Sequence, residues 1–197
     1  MHMEYIPKQA QKTTEWSGGT TTELYLYPPE GDYAARAFTF RLSTAVCRDE
    51  TAVFTPLKDT KRILMVLSGG VSLLHEKKEP VTLSVGAQDT FDGGIKTTSY
   101  GTCTDYNLML RKKAAGELAL KTLSAGERIV LLPESDFIGI YLFSGKGFLY
   151  APGRDLLLRQ RDFCMLQKEG KDDKEAVILS ILEDSTVVLS KINGEEM

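Results

Sequence analysis

The chain consists of short runs of alternating apolar and polar residues, interrupted by glycine, proline, aspartate and serine. Residues 20–27 alternate and stop at the turn sequence of residues 28–31, and residues 37–46 alternate again. Successive side chains of a strand point to opposite faces, so a period of two indicates β-strands. No stretch shows the long amphipathic period of a helix. The pattern predicts an all-β protein, of the sandwich, jelly-roll or barrel type.

Further predicted strands share this pattern of apolar or alternating residues between turn residues. They cover residues 62–67, 71–75, 81–85, 103–110, 118–123, 128–132, 137–143, 147–150, 155–158, 176–182 and 186–192.

An internal sequence repeat divides the chain. Residues 64–94 and 140–170 each contain an apolar strand, a Ser-Gly pair, a second apolar strand, a polar turn and an aspartate. Ser68-Gly69 corresponds to Ser144-Gly145. The repeat favours a duplicated β-unit. The alternative is that two unrelated hairpins have similar sequence patterns. We therefore predict two domains, residues 1–113 and residues 114–197.

The charge and hydropathy of the chain restrict its partners. The formal net charge of the 197 residues is −3, whereas binding to nucleic acid or to anionic membranes requires a basic excess. The apolar runs are too short to cross a bilayer, and residues 1–14 lack the apolar core of a signal peptide. We expect a cytoplasmic protein that binds neither nucleic acid nor membrane. Exposed strand edges are compatible with a homodimer.

Cysteine and histidine are scarce. Cys47, Cys103 and Cys164 are widely spaced and form no C-x-x-C pair, so we expect inert buried thiols rather than disulfides or a zinc cluster. His2 lies in an end expected to be disordered, and His75 is expected in an exposed turn. No catalytic motif with a histidine is recognisable, and we predict no catalytic residue, no metal site and no cofactor.

Alternation assigns the side chains of one predicted strand to its two faces. Asp105, Asn107, Met109 and Arg111 share one face of the predicted strand, and the intervening apolar residues share the other. The polar face lines either a cavity or solvent.

Other residues could contribute to the same cavity. Arg62 is either a charge at a strand edge or a clamp for a carboxylate, whose geometry a guanidinium matches. Arg41 lies on a polar face that is again either a cavity wall or a surface. Glu23 could pair with one of the arginines or contact a ligand, and Trp16 could plug one end of a barrel or contact a ligand.

The turn glycines resemble those of the cupin motifs, but the metal ligands are missing. Gly69 fits the glycine that closes the first motif and Gly86 the glycine that opens the second. Arg62 then stands at the position of the metal-binding glutamate, and Thr97 at that of a histidine. In the second copy the glutamate position is Ile138. The resemblance implies a cupin without its metal cage.

A closer resemblance is to the HutD/Ves family. Its blocks are similar, in order, to residues 16–23, 40–45, 62–70, 91–93 and 105–111, whereas the later half matches no motif. The final aspartate of the fourth block is replaced by Gly94. The resemblance implies a bacterial, cytoplasmic double cupin of two jelly-roll barrels. It also implies a role in sensing or buffering a metabolite of histidine utilisation, such as formylglutamate or urocanate.

We expect the N-terminal barrel to bind a small anionic metabolite through eight residues, most of which have polar or aromatic side chains. They are Trp16, Glu23, Arg41, Arg62, Asp105, Asn107, Met109 and Arg111. A metal-independent isomerase or hydrolase acting on a related amino-acid derivative is the alternative. A third hypothesis is an interaction module whose second barrel docks a partner.

Overall fold

The alternating runs form β-strands in this computed structural model, which describes residues 1–76, 78–170 and 173–194. These residues contain seventeen strands and one 3-10 turn at Lys8–Ala10. In chain order the strands are β1 (His2–Ile6), β2 (Lys12–Trp16), β3 (Gly19–Tyr27), β4 (Phe40–Cys47), β5 (Thr51–Val53), β6 (Thr60–Gly69), β7 (Val71–His75), β8 (Val81–Leu83), β9 (Gln88–Asp92), β10 (Thr97–Tyr100), β11 (Cys103–Arg111), β12 (Ala115–Leu123), β13 (Arg128–Leu131), β14 (Phe137–Ala151), β15 (Arg154–Arg159), β16 (Phe163–Gln167) and β17 (Val177–Asn193). None of the described residues forms a helix long and apolar enough to span a membrane.

The first of two units comprises residues 12–114. Its larger sheet has the order β2-β3-β4-β11-β6-β9, and its smaller sheet has the order β5-β10-β7-β8. The central strands of the larger sheet are buried on both faces. One face of β11 presents apolar side chains such as Tyr106 and Leu108, and the other presents Asp105 and Asn107. The buried polar face is what sets this unit apart.

The second unit is built from residues 1–11 and 115–194. Its sheet has the order β1-β16-β14-β17-β12, with β13 paired to β17 and β15 to β14. Its core is an apolar cluster. Ile138, which corresponds to Arg62 in the alignment of the two Ser-Gly pairs, belongs to this cluster and is 2% exposed. At this position the second unit therefore has an aliphatic core residue, whereas the first unit has a charged side chain.

The N-terminal residues differ from the prediction. β1 pairs antiparallel with β16, so residues 1–11 belong to the second unit rather than to a domain of residues 1–113. His2 accordingly lies in a strand and not in a disordered end. The predicted limit at residue 197 lies outside the described residues. A short strand that adds to a sheet edge far away in sequence has no local signal, because the edge supplies its hydrogen bonds.

The Ser-Gly pairs behave differently in the two units. At Ser68-Gly69, β6 ends and the chain turns into β7 of the smaller sheet. At Ser144-Gly145 the predicted turn is wrong, because β14 continues through it with register shifts against β17. Both glycines have positive φ, 74° at Gly69 and 89° at Gly145. A glycine in this conformation suits a bulge as well as a turn, so the sequence pattern did not distinguish them.

His75 is buried rather than exposed. Its Nδ1 lies 2.9 Å from the hydroxyl of Thr97 and its Nε2 lies 2.7 Å from a carboxylate oxygen of Asp89. The ring also packs against Phe91, with centroids 4.5 Å apart. Because β7 and β9 belong to different sheets, the His75–Asp89 contact joins the two sheets of the first unit. The histidine is structural.

Gly145 offers a test of the bulge. A Cβ there would collide with the side chain of Ser185 and the carbonyl oxygen of Asp184, whereas a Cβ at Gly126 would meet nothing. Gly126 lies in the same unit with an almost identical φ of 90°. We expect Gly126→Ala to cost about 1 kcal/mol of unfolding free energy through its backbone conformation. Gly145→Ala should cost roughly 1–3 kcal/mol more through overpacking. Urea unfolding of both variants measures the difference, and equal losses would contradict the bulge geometry.

Candidate functional site

A cavity of about 600 Å³ opens in the first unit, along the polar face of its larger sheet. Its walls come from β2, β3, β4, β6 and β11 and from residues 31–34 and 53–55. Volumes of this order are typical of small-molecule sites. Of the predicted site residues, the cavity is lined by Trp16, Glu23, Arg41, Arg62, Asp105, Asn107 and Met109.

Register explains how residues distant in sequence meet. Met109 on β11 pairs with Arg41 on β4 and with Arg62 on β6, which places both arginines beside one strand position. Two residues earlier, Asn107 pairs with Ser43. The pairing of β11 with β4 continues without a register shift through Asp105, which therefore shares the face of Asn107, while the β-bulge opposite Thr104 and Asp105 lies in β6. The alternation predicted from the sequence thus produces a continuous polar wall.

Arg62 is buried but incompletely paired. The residue is 7% exposed, and its guanidinium carbon lies 5.0 Å from the ring centre of Phe54 and 5.3 Å from that of Phe91. Its buried Nε has no hydrogen-bond partner in the described part of the chain. Burial lowers the pKa of Arg62 from its ordinary value, while the charge of Asp105 opposes that change. A buried donor without an acceptor is costly, so Arg62 is prepared to accept an anion.

Arg41 is largely committed to neighbouring side chains. Its Nε donates to a carboxylate oxygen of Glu23 at 2.7 Å, and its Nη1 donates to Ser43 Oγ at 3.3 Å. Its guanidinium also stacks over the ring of Tyr33, 4.1 Å from the centre. Of the two roles considered for Glu23, the structure shows the pairing with an arginine. Arg41 is therefore better placed to fix Tyr33 and Glu23 in the wall than to clamp a ligand alone.

Asp105 is a carboxyl group buried in the wall, 2% exposed. Burial raises its pKa to about 7, and the charge of Arg62 and a hydrogen bond from Cys47 oppose the rise. Its Oδ1 has no hydrogen-bond partner among the described residues, and the same holds for Asn107 Oδ1. The wall therefore offers two free acceptors beside the free donor of Arg62.

Trp16 completes this set. Its buried indole Nε1, a donor, also has no partner in the described ranges, and its ring packs against the core of the first unit. All four unpartnered atoms belong to residues that line the cavity. Buried polar groups are normally hydrogen-bonded, and a compound with both acceptor and donor groups would supply the partners that these atoms lack.

Arg111 does not belong to this wall. Although it follows the same alternation, its Nη1 donates to the carbonyl oxygen of Lys58 at 2.9 Å and to Thr60 Oγ1 at 2.8 Å. The side chain stands at the end of β11, where Thr60 pairs with it, and Arg111 is not among the cavity-lining residues. Strand alternation gives the face of a residue, but not whether the cavity extends that far.

Sequence reasoning missed many contributors to the wall, among them Tyr33, Phe54 and Cys47. Tyr33 and Phe54 lie in irregular segments, where no periodicity reports the direction of a side chain. Cys47 shares the period of two with Arg41, a signal that was present in the sequence, but we expected its thiol to be inert.

The cysteine thiols of the first unit are close to Asp105. Cys47 Sγ donates to Asp105 Oδ2 at 3.8 Å. The pKa of Cys47 is raised, first by a hydrogen bond with Cys103, then by burial and by the charge of Asp105. Both cysteines are free.

Exposed apolar residues align on the second unit. Val130 and Tyr150 are 59% and 45% exposed, and both pair with Ile178 in the sheet. They form a short row across three strands, and Leu132 and Leu182 are exposed in the same unit. This is the surface that an interaction module would use.

A family model described as HutD matches residues 8–187 of the chain. The chain belongs to the HutD family. No curated protein sequence matches it significantly.

Solved structures resemble this HutD-family chain along its length. A conserved protein of unknown function from Pseudomonas aeruginosa PAO1 has a TM-score of 0.82 and 18% identity, covering 98% of this chain and all of that one. HutD from Pseudomonas fluorescens SBW25, in a formate condition, has a TM-score of 0.74 and 16% identity over 99% of this chain and 100% of that one. The bacterial pirin YhhW from Escherichia coli, in complex with nickel(II), has a TM-score of 0.72 and 12% identity over 96% and 98%. The double-cupin, all-β fold is confirmed.

The cupin metal does not fit this HutD-family cavity. Its walls contain no histidine, since His75 lies elsewhere, bonded to Asp89 and Thr97. Arg62 stands where the metal-binding glutamate would be, with its guanidinium buried. A fixed positive charge at that position repels a cation.

The buried carboxyl of Asp105 predicts a pH-dependent effect on stability. Its folded-state pKa of about 7 exceeds the ordinary value of 3.8, so the folded chain holds the proton more tightly. The stability that Asp105 contributes is then fully present below about pH 4 and is lost as the pH rises to about 7. Asp105→Asn does not titrate, so its melting temperature should rise relative to the wild type between about pH 5 and about pH 8.

Scanning calorimetry at both pH values measures this change. The matched control is Asp49→Asn, because Asp49 is exposed, and its difference from the wild type should stay constant. A constant difference for Asp105→Asn as well would show that Asp105 is ionised in the folded protein throughout this range.

Proposed function

We propose that the chain binds a small anionic metabolite in the cavity of its first unit, in the cytoplasm. Its role would be to sense or buffer the level of that metabolite. The observation that carries the proposal is the buried guanidinium of Arg62, which faces the cavity with an unpartnered Nε. A carboxylate matches the planar fork of a guanidinium and forms charge-assisted hydrogen bonds with it.

The remaining unpartnered atoms define the rest of the ligand. Trp16 Nε1 can donate a second hydrogen bond to an acceptor, while Asp105 Oδ1 and Asn107 Oδ1 can accept from an N–H group. A compound with a carboxylate and an N–H group satisfies both kinds of atom. Formylglutamate and urocanate, the histidine-utilisation compounds expected from the family resemblance, both have this combination.

Substitution of Arg62 tests the clamp. Arg62→Lys retains the charge but loses the planar fork, so affinity for formylglutamate, urocanate or formate should fall roughly 10- to 100-fold. The affinity of the Arg62→Ala variant should fall at least as far. Calorimetric titration of chelator-treated protein measures the dissociation constants, and circular dichroism checks that each variant folds.

The matched control is Arg111→Lys, which changes an arginine of the same sheet that lies outside the cavity. Its affinity should equal that of the wild type. If Arg62→Lys and Arg62→Ala bind as tightly as the wild type, Arg62 is not the clamp. If no carboxylate raises the melting temperature of the wild type, the proposed ligand class is wrong.

Asp105 favours a second candidate function. A carboxyl whose pKa is raised to about 7 inside a cavity is suited to general acid or base catalysis near neutral pH. The chain would then be a metal-independent isomerase or hydrolase acting on a related amino-acid derivative. Nuclear magnetic resonance of each candidate compound, incubated with the protein in deuterated water, separates the two functions. Recovery of the unchanged compound supports binding, whereas turnover that Asp105→Asn abolishes supports catalysis.

A further inference from the structure

Two cysteines face each other beside the carboxyl group of Asp105. Cys47 on β4 and Cys103 on β11 are direct partners in the antiparallel pairing, and they are 3% and 6% exposed. Cys103 and Asp105 are two positions apart on one strand and therefore share a face. The two sulfurs and a carboxylate oxygen of Asp105 all lie within 4.8 Å of one another. Three potential metal donors thus converge in the interior of the first unit.

The spacing of these donors matches a tetrahedral thiolate site. With Zn–S bonds of about 2.3 Å and Zn–O bonds of about 2.0 Å, tetrahedral angles separate two sulfurs by about 3.8 Å and a sulfur from an oxygen by about 3.5 Å. The distance from Cys47 Sγ to Asp105 Oδ2 is 3.8 Å. The other two separations are within 4.8 Å, so the donors must approach one another further to share an ion.

A second observation indicates a ligand at this position. Asp105 is 98% buried, since only 2% of it is exposed, and its Oδ1 has no hydrogen-bond partner in the described ranges of the chain. A buried carboxylate without partners is unfavourable. Because Cys47 contacts the other oxygen, Oδ2, a cation held by both oxygens of Asp105 beside the two sulfurs would give Oδ1 the contact it lacks.

We propose that Cys47, Cys103 and Asp105 form a three-ligand site for a thiophilic divalent cation, with zinc as the best match. Thiolate donors select such ions over magnesium or calcium. Two thiolates balance the divalent charge, and Asp105 keeps Arg62 as its counter-charge. Cys47 and Asp105 line the cavity, so a ligand from the cavity could complete the coordination, as in zinc sites that retain an exchangeable ligand. The site uses other donors than the cupin metal position, where Arg62 stands, and its two thiolates and one carboxylate outweigh the positive charge of Arg62.

A disulfide accounts for less of the arrangement. Oxidation would join the two sulfurs but would leave Asp105 Oδ1 without a partner. The metal uses all three donors. It also requires no oxidant, only the release of the two thiol protons and of the proton that Asp105 carries below about pH 7.

Cobalt(II) is the probe that tests the site. Reduced, chelator-treated protein is titrated with cobalt without any anionic metabolite, so the result does not depend on the proposed function. We expect one equivalent to bind with the ultraviolet absorption of a cobalt–thiolate bond and the visible bands of tetrahedral cobalt, and zinc to displace it. The N-terminal amine and His2 can bind cobalt, but they contain no sulfur and cannot produce the thiolate band.

Serine substitutions assign the ligands. Cys47→Ser and Cys103→Ser should each weaken cobalt binding at least tenfold and reduce the thiolate band, and Asp105→Asn should weaken binding while retaining the band. The matched control is Cys164→Ser, which removes a fully buried thiol of the second unit and should bind cobalt as the wild type does. Absence of the thiolate band in the wild type would overturn the proposal. So would unchanged binding by folded Cys103→Ser protein, or a Cys47–Cys103 disulfide in protein purified without reductant.

Discussion

The first unit is organised around a guanidinium held inside a β-barrel. Arg62 packs against two aromatic rings with little access to water, and its positive charge opposes the rise in the pKa of Asp105. A buried charge costs free energy unless it is paired. The polar residues of β4 and β11 reduce that cost only in part, because Arg62 Nε and Asp105 Oδ1 have no partners among the described residues. The unpaired polar atoms of the cavity therefore cost folding free energy, and the same atoms are available to hydrogen-bond a ligand.

The second unit shows what a similar strand pattern forms without that charge. Its interior is a cluster of aliphatic side chains, with Ile138 at the position corresponding to Arg62. Aliphatic packing stabilises a core without needing a partner for any polar atom. Among the described residues, the second unit thus has an aliphatic core where the first unit has a polar cavity.

Membership of the HutD family and the double-cupin fold do not by themselves specify the chemistry, because one fold serves many functions. The donors present in the cavity restrict it further. Histidine is absent from the walls, so they cannot hold the usual cupin metal, while their guanidinium, amide and carboxyl groups supply hydrogen-bond donors and acceptors. Cys47 and Cys103 add a different kind of donor at one end of the polar wall.

The sequence by itself determined the strand content, the double-cupin fold and part of the polar wall, because alternation along a strand fixes which side chains share a face. Tertiary structure decided the rest. It placed β1 in the second unit, turned Arg111 to the carbonyl of Lys58, buried His75 against Asp89, and brought Tyr33 into the wall. Each outcome depends on which strands become neighbours and where a cavity ends, and these long-range pairings are not encoded in any local pattern.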